Sequence, residues 1–164
     1  MSRRSIRNFK EEEIDKNIAI KILECARWAP SGLNNQPWKV NVVVHPTIKR
    51  LLADCTKYGQ IIENASINFV VFLDLNKSYN RVKDIQGIGA FMHNILLCSH
   101  ALGLGSVWLG EILNKKEAVN EIFKLESKIY ELMGVIALGI IDDSQKSGNK
   151  DRERQPIDAF TEFY

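Results

Sequence analysis

The chain has 164 residues, 45% hydrophobic and 26% charged, with 22 basic and 20 acidic side chains for a net charge of +2. That length suits one domain, residues 1–164, and the near balance of charge excludes the basic footprint of a nucleic-acid binder. No apolar run approaches the roughly 18 residues of a membrane span. Met1 is followed by Ser2, Arg3 and Arg4 rather than by an apolar signal core, so the cytoplasm is the expected compartment, with no membrane partner. Cys25, Cys55 and Cys98 are widely spaced and odd in number, which reads as reduced thiols rather than a disulfide framework.

In chain order, Asp15 can cap a helix in which Ile18, Ile22 and Ala26 recur every four residues, beside Ala19 and Leu23. It should stop before Pro30, because the residue preceding a proline is pushed out of the helical region. Residues 31–37, Ser-Gly-Leu-Asn-Asn-Gln-Pro, are turn-rich and read as a loop. Residues 38–44, rich in valine, read as a strand, and Pro46 favours the first turn of a short helix ending near Asp54. Residues 67–74 read as a buried strand. From Ile85 to Leu102 the apolar residues Ile88, Phe91, Met92, Ile95 and Leu96 cover much of a helix surface. Such a helix is buried on more than one side, and the second side is expected to meet another subunit.

Gly103 and Gly105 end that helix, and 106–109 form a short strand. Asn114 and Glu117 resemble a capping box opening a helix to about Lys124. Residues 132–141 form the last strong strand. After Asp142 the chain is polar until Pro156, then ends in a tail bearing Ile157, Phe160, Phe163 and Tyr164. There is no regular βαβ rhythm, no GxGxxG after the first strand and no Walker loop. The pattern predicts an α+β fold, a mixed sheet flanked by helices.

Four segments could carry chemistry. Arg3-Arg4-Ser5-Ile6-Arg7-Asn8-Phe9 crowds three guanidinium forks and a hydroxyl, a donor set suited to phosphate, although a basic N-terminus can simply be solvated. Ala29-Pro-Ser-Gly-Leu-Asn-Asn-Gln-Pro-Trp38 is dense in amides able to read the edge of a heterocycle, or is an ordinary helix-to-strand loop. Gly103-Leu-Gly-Ser-Val-Trp-Leu-Gly-Glu111 lets backbone approach a flat ligand, or is a glycine cap and a core strand. Lys150-Asp-Arg152-Glu-Arg154-Gln-Pro156 adds two arginines, or is a solvated mixed-charge loop.

Taken together and in this order, the segments resemble the nitroreductase family of FMN-dependent oxidoreductases. The family's RRSxRxF stands at Arg3 to Phe9, its APSxxNxQPW at Ala29 to Trp38, its GLGSxWxG at Gly103 to Gly110 and its RxRxP at Arg152 to Pro156. The resemblance implies non-covalent FMN, with Arg3, Ser5, Arg152 and Arg154 around its phosphate. Arg4 would contact the ribityl–phosphate region or the pyrimidine edge, and Arg7 would lie near N1 and the C2 carbonyl, where positive charge stabilises reduced flavin. Pro30, Ser31, Gly32 and Asn34 would reach the flavin from the other subunit, with Gln36 supporting their loop. Leu109, Gly110 and Glu111 would lie by the ring, the Glu111 N–H facing N5, and Gln60 is a further candidate for the pyrimidine edge. No protein residue is expected to act as catalytic acid or base in hydride transfer. The implied assembly is an intertwined homodimer with the C-terminal tail exchanged.

The resemblance further implies NADH or NADPH as reductant and nitroaromatic, quinone or flavin-type acceptors, in a ping-pong cycle. A dehalogenase or flavin-fragmenting relative and a non-catalytic FMN storage or sensor module are the alternative readings. The sequence departs from larger members in having only about a dozen residues between the strand ending near Asp74 and the helix starting near Ile85, too few for a long lid. Glu111 stands where a small residue is common, and its side chain could face the ring or solvent. His45, His93 and His100 lack metal-ligand spacing, so no metal is expected. His93 and Cys98 read as interface packing, and Cys25 as a small hydrophobe.

Overall fold

In the computed structural model, which describes residues 2–142, 144 and 153–164, helix α1 (Lys16–Ala26) starts where its cap is placed. The Asp15 carboxylate accepts from the Asn17 N–H at 2.9 Å. A turn-rich stretch follows, with one 3-10 turn over Gly32–Asn34, and leads into β1 (Trp38–Val43). Helix α2 (Pro46–Ala53) carries its proline in the first turn. Helix α3 (Gly59–Asn64) was not foreseen, because six residues are too few to show a helical period. Strand β2 (Ile67–Asp74) matches its expected range and is buried on both faces, as its unbroken apolar run requires.

Helix α4 (Arg81–Ala101) begins four residues before the first residue of its apolar pattern, since Asn80 accepts from the Lys83 N–H and caps a polar first turn. The connection from β2 to α4 is therefore residues 75–80 alone, even shorter than expected. Strand β3 (Gly105–Leu109), a 3-10 helix (Glu111–Lys115), helix α5 (Lys116–Ile122) and strand β4 (Tyr130–Gly139) complete the described elements. The capping box at Asn114 and Glu117 does not form. The chain turns helical directly after Gly110, so Asn114 already lies inside a 3-10 turn and its amide faces Glu111 at 3.5 Å. Strand β4 sits two residues earlier than expected, because Tyr130 and Glu131 pair with Asp74 and Leu73 despite their polarity.

The strands lie in the order β1-β2-β4-β3 and every ladder is antiparallel. The α+β class is the one expected; a parallel pair of the anticipated mixed sheet would need a strand beyond these four. Helices α1 and α4 cover one face, where Ile22, Phe91, Met92 and Ile95 meet Phe69, Val71 and Ile136. Helices α2, α3 and α5 cover the other, where Leu52, Ile62 and Val119 meet Val70, Phe72 and Val135. Alternation along the central strands thus feeds two cores, and both hold the loops at the sheet's ends.

Candidate functional site

The arginine-rich N-terminus is anchored by its two apolar residues. Phe9 is buried and bridges Ile141, and the Ile6 N–H donates to the Ser106 carbonyl at 3.0 Å. Gly139 makes this possible: a Cβ there would come within 2.6 Å of the Phe9 ring. With Ile6 and Phe9 turned inward, Arg3 and Arg4 are half-buried, while Ser5 and Arg7 are exposed. The Ser2 hydroxyl lies 2.8 Å from His100 Nε2 at the C-terminal end of α4. Three guanidinium groups and a hydroxyl are thus held beside the start of β3, a donor set fitted to a phosphate dianion.

The amide-rich loop sits elsewhere. Leu33, Asn34 and Gln36 have φ of 54°, 55° and 46°, left-handed values that non-glycine residues adopt only when their surroundings hold them there. The holding bonds are visible. The Ser31 hydroxyl accepts from the Gln36 N–H at 3.2 Å, the Ser31 carbonyl accepts from the Asn34 N–H at 3.1 Å, and the Gln36 amide donates to Asn34 Oδ1 at 3.2 Å. Gln36 supports the loop as expected. The Asn35 amide donates to Asp84 Oδ1 at 2.8 Å. Pro30 packs on α4, where a Cβ on Gly87 would meet the Pro30 carbonyl at 3.1 Å, and Gly32 lies directly under the Tyr79 ring.

At the end of β3, Leu109 is buried in the core, so it can offer a ligand only its main chain. Gly110 is exposed, and a Cβ there would meet nothing within 4 Å, leaving room for a flat group. The Glu111 carboxylate is engaged within the chain. It accepts from the Thr56 hydroxyl at 2.6 Å and the Lys57 N–H at 3.1 Å, and so fastens the loop before α3. Gln60, exposed on α3, donates to Asn64 at 2.8 Å. Arg154 lies on the exposed tail and donates to the Glu153 carbonyl at 2.7 Å; Arg152 lies outside the described residues.

One chain does not bring these segments together. Pro30 packs at Gly87 and Ser2 at His100, positions separated by roughly 20 Å of helix. Within one chain the arginine segment and the amide-rich loop thus lie toward opposite ends of α4. Asn35, Thr56, Tyr79 and Asp84 were missed by sequence reasoning. For Asp84 a signal existed: it is an acid on the same helical stripe as Ile88, Phe91 and Ile95.

The electrostatics predict an acid-sensitive fold. The Thr56 hydroxyl, ahead of the Lys57 N–H, holds the Glu111 carboxyl below its ordinary value, and the Arg81 guanidinium does the same for Glu131. Burial pushes Asp84 up, but hydrogen bonds from Ser78, Asn35, Asn80 and Tyr79 outweigh it and leave this carboxyl low as well. Groups with a depressed folded pKa contribute stability above the unfolded value of about 4, and that stability is lost as pH falls through the folded value. The melting temperature should therefore drop between about pH 5 and pH 3, and Asp84→Asn should flatten that limb; an unchanged slope would refute the assignment. Burial, and then the neighbouring Cys25, push the Cys98 thiol up to about 11, so it is protonated at neutral pH. Cys25 itself is exposed, not a core hydrophobe. Among the described residues no three His, Cys, Asp or Glu side chains gather as a metal site, and no helix is long and apolar enough to cross a membrane.

Comparison with known proteins adds independent support. The Nitroreductase family model matches residues 1–57 and 48–140. A provisionally named NADH dehydrogenase/NAD(P)H nitroreductase of Archaeoglobus fulgidus is 34% identical over 88% of this chain and 84% of its own length. A provisionally named nitroreductase of Desulfovibrio desulfuricans, solved in complex with FMN, superposes with a TM-score of 0.89 at 38% identity, covering 99% of this chain and 93% of its own. An FMN-dependent nitroreductase of Clostridium difficile superposes with a TM-score of 0.77 at 31% identity, covering 90% and 88%.

Proposed function

Because the chain belongs to the nitroreductase family, we propose that it is an FMN-dependent NAD(P)H oxidoreductase that reduces nitroaromatic, quinone or flavin-type acceptors in two alternating half-reactions. The observation that carries this reading is the anchored Arg3–Arg7 segment, a donor set suited to phosphate at the start of β3, the strand whose other end leads to the open backbone at Gly110. When bound, FMN would supply the redox chemistry, as hydride acceptor toward the nicotinamide and electron donor toward the acceptor. Arg3, Ser5, Arg152 and Arg154 bind its phosphate, Arg4 and Arg7 supply positive charge along its polar edge, and the main chain of Leu109, Gly110 and Glu111 borders its ring. Gln60 serves the pyrimidine edge. Pro30, Ser31, Gly32 and Asn34 come from a second copy of the chain, which the separation along α4 supports.

The test is a visible spectrum of the purified protein, followed anaerobically on addition of NADH and then NADPH. A bound flavin, released as FMN on denaturation and bleached by either nucleotide, supports the reading. A colourless protein that takes up no FMN overturns it. Steady-state kinetics should show a ping-pong pattern; a ternary complex would refute the alternating scheme.

The homodimer is the second part of this proposal. On the tail, Ile157 is 68%, Phe160 63% and Phe163 94% exposed, a large uncovered apolar area for a single chain. The outer face of α4 offers Val82, Gly89 and Leu97, small and apolar residues on which another copy can pack. Deleting residues 157–164 is expected to shift the sedimentation velocity profile toward monomer and to lower bound FMN. Full-length protein sedimenting as a monomer would remove this part of the reading.

A further inference from the structure

We propose that Asp84 is a positioning residue for the acceptor-facing wall of the site, tying the turn that carries Ser31 and Asn34 to the connection that carries Tyr79. This rests on the oxidoreductase reading above. Asp84 is 1% exposed, and burying a carboxylate is costly unless its acceptor sites are used. Here they are, and by two loops at once. Oδ1 accepts from the Asn35 amide at 2.8 Å, and Oδ2 accepts from the Ser78 hydroxyl at 2.7 Å and from the Tyr79 and Asn80 N–H groups, both at 3.1 Å. The Asn35 amide also donates to the Lys77 carbonyl at 3.0 Å, closing the link from the other side.

The bond from the Asn80 N–H completes the cap of α4, in return for the Asn80 side chain holding the Lys83 N–H, but the bond from Asn35 has no part in that cap. What the carboxylate fixes is the position of one loop against the other. Three left-handed residues in the first loop need that outside support. In the second loop the clamp sets the Tyr79 ring over Gly32, where a side chain at position 32 would have no room. Tyr79 stays accessible, with the Lys83 ammonium 5.5 Å from its ring centroid. An aromatic surface with a neighbouring cation, beside the turn assigned to the flavin, suits flat acceptors bearing carbonyl or nitro oxygens.

The test uses the FMN-loaded full-length protein as wild type, Asp84→Asn and Asn68→Ala. Asn68 is buried and donates to the Ile62 carbonyl at the opposite end of β2 from the connection, and serves as the control for simple destabilisation. Asn at position 84 turns a donor toward the Asn35 amide, and loss of one charge-assisted bond shifts such an equilibrium by about tenfold or more. Asp84→Asn is expected to speed amide exchange about tenfold at residues 31–36 and 77–80 only. It is also expected to raise KM for menadione about tenfold, with a smaller change in kcat. Asn68→Ala should change neither the exchange of these loops nor KM.

Exchange that rises evenly along the chain, or a KM equal to that of the control, overturns the proposal. If Asp84→Asn does not fold, Asn35→Ala and Ser78→Ala each remove one donor and should give the same pattern more weakly. A wild-type chain that holds no flavin would refute the oxidoreductase reading alone, and exchange confined to the two loops would still establish the clamp.

Discussion

Arg3→Ala is expected to weaken FMN binding by about 10- to 100-fold while leaving riboflavin binding within about twofold, as read by flavin fluorescence titration. The two ligands differ only in the phosphate, so their ratio isolates the contribution of the guanidinium. Arg3 is half-buried behind the Ile6–Ser106 bond, which limits the side-chain freedom lost on binding. A charge-assisted bond to a phosphate oxygen is worth about 1.5–3 kcal/mol, the origin of the expected range. Arg3→Lys should recover only part of the loss, because an ammonium cannot match two phosphate oxygens with a planar fork. Equal weakening of FMN and riboflavin would show that Arg3 supports the fold and does not read the phosphate.

Phe9→Ala should cost about 3–5 kcal/mol of unfolding free energy, the usual range for truncating a buried aromatic. Denaturant titration measures it. The ring fills the space over Gly139 and is the anchor from which the arginine segment runs. FMN affinity should therefore fall along with stability, although Phe9 is no phosphate ligand. Gly139→Ala pushes a methyl group onto the same ring and should cost about 1–3 kcal/mol, with the same loss of FMN. In the Phe9→Ala background the second substitution should cost much less, because the clash has been removed. Ile22→Ala, a truncation in the core on the opposite face of the sheet, is the control. If it lowers FMN affinity as much as Phe9→Ala does, the anchor has no special role.

Much of this protein was legible from local signals. Asp15 capped its helix and β2 kept its expected ends, because a side-chain oxygen near a helix start and an unbroken apolar run both act within a few residues. The four donor-rich segments were found for a similar reason: the chemistry of a guanidinium or an amide belongs to the residue and does not depend on the fold.

Distance along the chain decided the rest. Helix α3 and the start of α4 were set by packing and capping that no apolar period records. Glu111 reaches back to Thr56, and Asp84 joins Asn35 to Tyr79, because the fold places those loops side by side. The separation of the arginine segment from the amide-rich loop is likewise a consequence of where α4 begins and ends. The sequence by itself determined which residues carry donors suited to a phosphate or to the edge of a flat ring. Only the tertiary structure decided which of them one chain can bring together, since hydrogen-bond partners and burial arise from contacts between segments remote in sequence.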